Sequence, residues 1–163
     1  MKKVAVIMGS ASDLPIAEKC TLKLKALGIE YTVRVMSAHR TPDEVTEFAS
    51  KAEDEGFSAI ISIAGKAAHL GGVIASQTTL PVIGIPCQSS DLGGMDALLS
   101  TAQMPPGIPV ASMAINGAVN AAIFVAEILA TSDKEIRKAL KEDRKKMREA
   151  VYQADKEIQE KLS

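Results

Sequence analysis

With 163 residues, the chain is long enough for one domain with a substantial core. A formal net charge of -1, an aromatic content of 3% and the lack of tryptophan supply neither the basic surface nor the stacking rings of a nucleic-acid binder. No apolar run approaches the roughly 20 residues of a membrane span, and Cys20 and Cys87 match no zinc or redox spacing.

Residues 4–8 are the first predicted strand. This apolar run breaks at Gly9-Ser10, short of the roughly 7–15 residues of a secretory h-region, so a reduced, cytoplasmic protein is expected. The following loop, Gly9-Ser10-Ala11-Ser12-Asp13, brings small residues and hydroxyls to the start of a helix over 15–27, a setting suited to a phosphate or to ribose hydroxyls. Plain helix capping by Ser12 or Asp13 explains the same residues. Neither G-x-G-x-x-G nor a Gly-Lys-Ser/Thr sequence is present, so the loop is neither a dinucleotide fingerprint nor a P-loop. A strand over 31–36 leads into Ser37-Ala38-His39-Arg40-Thr41-Pro42, where one of two histidines stands beside an arginine. A histidine exchanges a proton near neutral pH, and an arginine offers a planar fork of donors to a carboxylate or phosphate. Thr41, Pro42 and Glu44 read as N-cap, first helical residue and capping-box partner of a helix over 42–55, which sets the pair at that helix's positive end.

A third strand over 59–63 is followed by Ala64-Gly65-Lys66-Ala67-Ala68-His69-Leu70-Gly71-Gly72 and a helix over 70–77. Lys66 can hold an anion or reach solvent, and His69, opening an apolar helix, can serve a site or the core. Next come a strand over 81–85, the loop Cys87-Gln88-Ser89-Ser90-Asp91-Leu92-Gly93-Gly94 and a helix over 95–101. Met104-Pro105-Pro106-Gly107 reads as a rigid connection suited to a pocket wall, before a strand over 110–114 and a helix over 118–129. The glycine pairs suggest close backbone approach or a mobile lid.

The strands read as continuous apolar runs, as strands covered on both faces should. Their alternation with helices predicts a parallel sheet with right-handed crossovers and helices on both sides. Ligands of such sheets bind at the carboxyl ends of the strands, where both histidines and the small polar clusters fall. No helical His spacing or carboxylate cluster supports a metal site, and no Gly-x-Ser-x-Gly elbow supports a serine hydrolase. The residues therefore point to metal-free, phosphate-assisted acid/base chemistry on a small molecule. A flavodoxin-type electron carrier is the first non-catalytic alternative, but the rim loops hold no aromatic residue to flank a flavin. A signalling receiver is the second; it needs an acidic pair and a further Asp where this chain has one Asp and Ala64-Gly65.

Ser132 and Glu135 read as a second capping box. Ile136, Leu140, Met147, Val151, Ala154, Ile158 and Leu162 then recur at spacings of three, four and seven. Such a helix over 132–163 exceeds what a core of residues 1–131 needs for its cover. It is expected to lie on a neighbouring subunit of a homo-oligomer, the alternative being a helix folded back on its own domain.

Met8-Gly9-Ser10-x-Ser12-Asp13, the loop over 37–42, Ala67-Ala68-His69-Leu70, Pro81-Val82-Ile83-Gly84-Ile85-Pro86, Gln103-Met104-Pro105, Ala114-Ile115-Asn116 and Asn120-Ala121-Ala122 follow in unbroken order from about residue 3 to about residue 130. In this ordered set the chain resembles the PurE family. The resemblance implies an α/β, three-layer flavodoxin-like fold with a five-stranded parallel sheet and a long C-terminal helix, spanning 1–163 as one domain. It also implies an octamer and a place in de novo purine synthesis. Ser10, Ser12, Asp13, Ser37, Arg40, Gly65 and Lys66 are the implied substrate-binding residues, and His39 and His69 the implied catalytic pair, with no cofactor. The expected reaction is that of the mutase class, which moves a carboxylate from the exocyclic nitrogen of 5-(carboxyamino)imidazole ribonucleotide to ring carbon 4. An ATP-dependent, carbamate-forming synthetase is then the implied functional partner. Ile63-Ala64-Gly65-Lys66 and Ser89-Ser90-Asp91 lean toward the carboxylase class, which uses free carbon dioxide and is the alternative. His69 stands where carboxylases carry alanine and favours the mutase.

Overall fold

The computed structural model describes residues 2–162, so Met1 and the expected helix end at Ser163 lie outside the described residues. Five strands form one sheet in the order β2-β1-β3-β4-β5, every neighbouring pair parallel: β1 (Lys3–Met8), β2 (Glu30–Val35), β3 (Phe57–Gly65), β4 (Val82–Cys87) and β5 (Ala111–Ser112). This is the flavodoxin-like order, whose direction switches between β1 and β3. A short 3-10 turn (Ala11–Asp13) precedes α1 (Leu14–Ala26). The remaining helices are α2 (Pro42–Lys51), α3 (Leu70–Ala75), α4 (Met95–Ala102), α5 (Ala118–Ala130) and α6 (Lys134–Leu162).

Alternate residues of the central strands face opposite layers. Val4, Val6, Ile61, Ile63, Ile83 and Ile85 pack with Leu24 of α1 and with Ala121, Ala122 and Val125 of α5. Ala5, Ile7 and Ile60 pack with Val45 and Ala49 of α2 and with Leu70 and Ile74 of α3. Each fully buried Ile, Leu or Val stabilises by about 1.5–3 kcal/mol, so β1, β3 and β4, which carry three of the rim loops, form the best-anchored part of the chain. Two close approaches depend on glycine. A Cβ on Gly84 would stand 2.3 Å from Thr101 Cγ2, and one on Gly71 2.7 Å from Ser62 Oγ. The second contact lets α3, with His69 as its N-cap residue, lie directly on β3.

Several local expectations are corrected. β2 is an edge strand and largely exposed, with Val33 and Val35 open to solvent, so cover on both faces holds for β1, β3 and β4 but not for β2. β5 pairs only through Ala111 and Ser112 because Pro109 lacks a donor before it and the chain turns at Asn116 after it. There Asn116, at φ 58, donates its N–H to Pro86 O at 2.8 Å. The Met104–Gly107 connection lies against α3, where a Cβ on Gly72 would stand 3.1 Å from Met104 Sδ, and Gly107 borders a cleft at the amino ends of β4 and β5. The connection thus contributes to a pocket wall, at the edge of the sheet opposite the rim.

The expected capping box at Ser132 is not formed, and Asp133 caps α6 in its place. Asp133 Oδ1 accepts from the N–H groups of Glu135 and Ile136, while Ser132 Oγ receives Lys2 Nζ. The first turns of α6 return to the chain's own domain, burying Ile136 and Leu140 beside α5 and pairing Asp143 with Lys23 and Arg144 with Glu127. Beyond them Met147, Val151, Ile158 and Leu162 are exposed. Among the described residues no helix is long and apolar enough to cross a membrane.

Candidate active site

The carboxyl ends of β1, β2, β3 and β4 surround a cleft of about 750 Å³, within the range of small-molecule sites. Ser10, Ser12, Asp13, Ser37, His39, Arg40, Gly65, Lys66 and His69 all line it, joined by Cys87, Gln88, Ser89 and Ser90 of the loop after β4. The cleft at the amino ends of β4 and β5 has a similar volume, about 760 Å³, but Glu53 is the one titratable side chain among its described lining residues. Chemistry therefore selects the carboxyl-end cleft.

The loop after β2 is tied by its own hydroxyls. Thr41 Oγ1 accepts from Ser37 N–H at 2.9 Å, and Thr41 N–H donates to Ser37 O at 2.9 Å. Ser37 Oγ accepts from the N–H groups of His39 at 3.4 Å and Arg40 at 3.2 Å. Thr41 is thus the N-cap residue of α2 without a side-chain cap bond, and the expected capping box is not formed, because its hydroxyl is spent on the loop. The result is a short rigid arch that holds His39 and Arg40 exposed over the cleft. Arg40 reaches back to the loop after β1, Nη2 donating to Gly9 O at 3.0 Å and Nε to Ser37 Oγ at 3.5 Å.

In the loop after β1, neither Ser12 nor Asp13 caps a helix with its side chain. Ser10 takes that role at the 3-10 turn, its Oγ accepting from Ser12 N–H at 3.3 Å and from Ser12 Oγ at 2.9 Å. Burial raises the Asp13 carboxyl above its usual range, with the Ser10 backbone and the Cys87 thiol pulling the other way. Cys87 is itself pushed up to about 12, first by burial and then by the Asp13 charge, so it stays a thiol facing that carboxylate. The folded Asp13 carboxyl therefore binds its proton more tightly than the unfolded one. Its contribution to stability is full below the usual carboxylate range and is lost as pH rises through the raised folded value. Asp13→Asn is expected to melt above the parent near about pH 7 and to converge with it near about pH 3, read from thermal melts across pH. A parent that melts higher at both ends would show that the carboxylate is held by favourable contacts.

His39 Nε2 and His69 Nδ1 meet at 2.8 Å, with the rings near perpendicular at 81° and centroids 5.0 Å apart. One nitrogen donates and the other accepts, so the two imidazoles form a dyad open to the cleft. Lys66 holds a left-handed backbone, φ 54, and its Nζ pairs with Asp91 Oδ2 at 2.7 Å across the lip between the loops after β3 and β4. The hydrogen bond within this pair raises Lys66 and lowers Asp91. Asn116 clamps the loop after β4 from behind: its Oδ1 accepts from Gln88 N–H at 3.0 Å and its Nδ2 donates to Gln88 Oε1 at 3.3 Å. Gly94, at φ 93, closes that loop by close approach, since a Cβ there would stand 2.8 Å from Ile115 Cγ2.

Sequence reasoning missed Cys87, Gln88, Ser89 and Ser90 as site residues. Ser89 Oγ is buried without a hydrogen-bond partner on the cleft wall, a donor left for a ligand. The available signal was position alone, in a loop that follows a strand on the same rim. Among the described residues no group of three His, Cys, Asp or Glu side chains is placed to hold a metal ion.

Residues 3–150 match the family described as AIR carboxylase. The N5-carboxyaminoimidazole ribonucleotide mutase of Methanocaldococcus jannaschii is 52% identical over 157 residues, covering 96% of this chain and 98% of that protein. The enzyme of the same name from Escherichia coli is 46% identical, covering 93% and 90%. The crystal structure of Treponema denticola PurE superposes with a TM-score of 0.89 at 32% identity, covering 96% of this chain and 98% of that one.

Proposed function

The chain belongs to the AIR carboxylase family, and we propose that its cleft carries out the N5-carboxyaminoimidazole ribonucleotide mutase reaction of purine biosynthesis. The observation that carries this reading is the His39–His69 dyad at 2.8 Å, set on a rim of hydroxyls and one arginine in a chain so close to enzymes of that name. The substrate is a small ribonucleotide. Ser10, Ser12, Asp13, Ser37 and Arg40 are assigned to its ribose phosphate, and Gly65 and Lys66 to the opposite lip.

The reaction conserves atoms and protons. The N5–carboxyl bond breaks, carbon dioxide departs, and the electron pair stays on nitrogen, which takes a proton. Ring carbon 4 then attacks the carbon dioxide, and its own proton is removed. One proton is given and one recovered, so a single dyad serves as acid in the first step and base in the second, with His39 as the group that meets the substrate and His69 as the partner that accepts or returns the shared proton. Confinement of the carbon dioxide beside the ring supplies an effective-concentration advantage that solution lacks.

Ultraviolet absorbance of the ring-carboxylated product tests the assignment. Product from the carbamate substrate, with little from 5-aminoimidazole ribonucleotide and low bicarbonate, supports the mutase. The reverse pattern assigns free carbon dioxide as the co-substrate and overturns it. The same reading includes an ATP-dependent, carbamate-forming enzyme upstream, a cytoplasmic location and one domain over 1–163. It also includes an octamer in which the exposed stripe of Met147, Val151, Ile158 and Leu162 lies on a neighbouring subunit. Sedimentation is expected at eight times the chain mass of 17.2 kDa, and a single-chain species would remove that part.

A further inference from the structure

This inference rests on the mutase reading. The substrate of that reaction carries two anionic groups, a phosphate and a carboxylate, and the cleft carries two cationic side chains, Arg40 and Lys66. Arg40 is committed to one end, bonded to Gly9 O and Ser37 Oγ beside the Ser10 hydroxyl. Lys66 stands on the other lip, three residues before His69, whose ring touches His39. Its backbone, at φ 54, is a conformation that a residue with a Cβ adopts at a cost, and such positions concentrate at ligand clamps. Its ammonium is 2.7 Å from Asp91, and the two side chains are 70% and 58% exposed. An ion pair this open adds little stability, so exchange of the partner is energetically easy. We propose that Lys66 is a specificity-determining residue that binds the migrating carboxylate, and that Asp91 holds its ammonium over the cleft until the carboxylate replaces it.

The carboxylate is anionic on N5 before transfer and anionic on carbon 4 after it. Lys66 therefore grips substrate and product alike, and its removal acts on KM more than on kcat.

Titration calorimetry on the full chain compares 4-carboxy-5-aminoimidazole ribonucleotide with 5-aminoimidazole ribonucleotide, which lacks the carboxylate. Lys66→Met is expected to weaken the carboxylated nucleotide about tenfold and to leave the other within about twofold. Lys66→Arg is expected to restore the difference, and Asp91→Asn to tighten the carboxylated nucleotide by about twofold. Equal weakening of both nucleotides, or of neither, overturns the assignment. If the parent binds and turns over the carbamate substrate while the ratio stays fixed, only the Lys66 role falls. If the parent binds neither nucleotide, the mutase reading falls with it.

Discussion

Replacing His39 with asparagine is expected to leave a folded, assembled protein whose kcat is lower by about 10²–10⁴-fold, with KM little changed. The arch that presents residue 39 is closed by Ser37 and Thr41 through backbone groups and hydroxyls, and the imidazole takes no part in it. Among the described residues the His39 side chain hydrogen-bonds to His69 alone, at 2.8 Å. Asparagine is shorter, its amide nitrogen overlaying Nδ1 of the imidazole and not Nε2, so the contact with His69 is lost; both rings are exposed, and the fold loses little. Asparagine cannot accept the proton of carbon 4, and that loss acts in the transition state. Product absorbance gives the rate, and a thermal melt of the same sample confirms folding. A variant that retains most of its activity would move the proton transfer to another group and end the role assigned to His39.

Strand positions were legible because Val4, Val6, Ile60, Ile61, Ile63, Ile83 and Ile85 leave runs that only a doubly covered sheet explains. The rim was legible for a related reason: in an alternating strand and helix chain, every loop that follows a strand opens on one edge of the sheet. Residue partners were less so. His39 and His69 are thirty positions apart, and no pattern in either loop shows that their rings touch. Capping depended on single-residue competition that composition does not resolve. At Thr41 the loop takes the hydroxyl before the helix can, and at Ser132 the neighbouring Asp133 is better placed. The helix expected over 42–55 ends at Lys51, because Ala52–Glu55 turn toward Gly56, whose φ of 82 admits glycine most readily. Cys87 and Ser89 escape a reading of the sequence because a thiol and a hydroxyl carry no charge signal, although burial and the cleft wall give them a place in the site.

Arg40→Met is expected to raise KM about tenfold to a hundredfold, as the loss of charge-assisted hydrogen bonds to a phosphate implies, while kcat stays within about threefold. The guanidinium has five N–H donors. Those spent on Ser37 Oγ and Gly9 O fix its plane, and the others remain for a ligand. A phosphate keeps its charge throughout the reaction, so a contact with it binds ground state and transition state equally and shows in KM. Arg40→Lys keeps the charge but cannot span both Ser37 and Gly9 from one planar fork, and is expected between the two. Initial rates over a range of substrate concentration, repeated at higher salt, separate these cases, since a screened phosphate contact weakens as salt rises. A fall in kcat at constant KM would carry a different message. Arg40 would then act on the carboxyl group in flight, and the division of the two cations between the two ends of the cleft would be reversed.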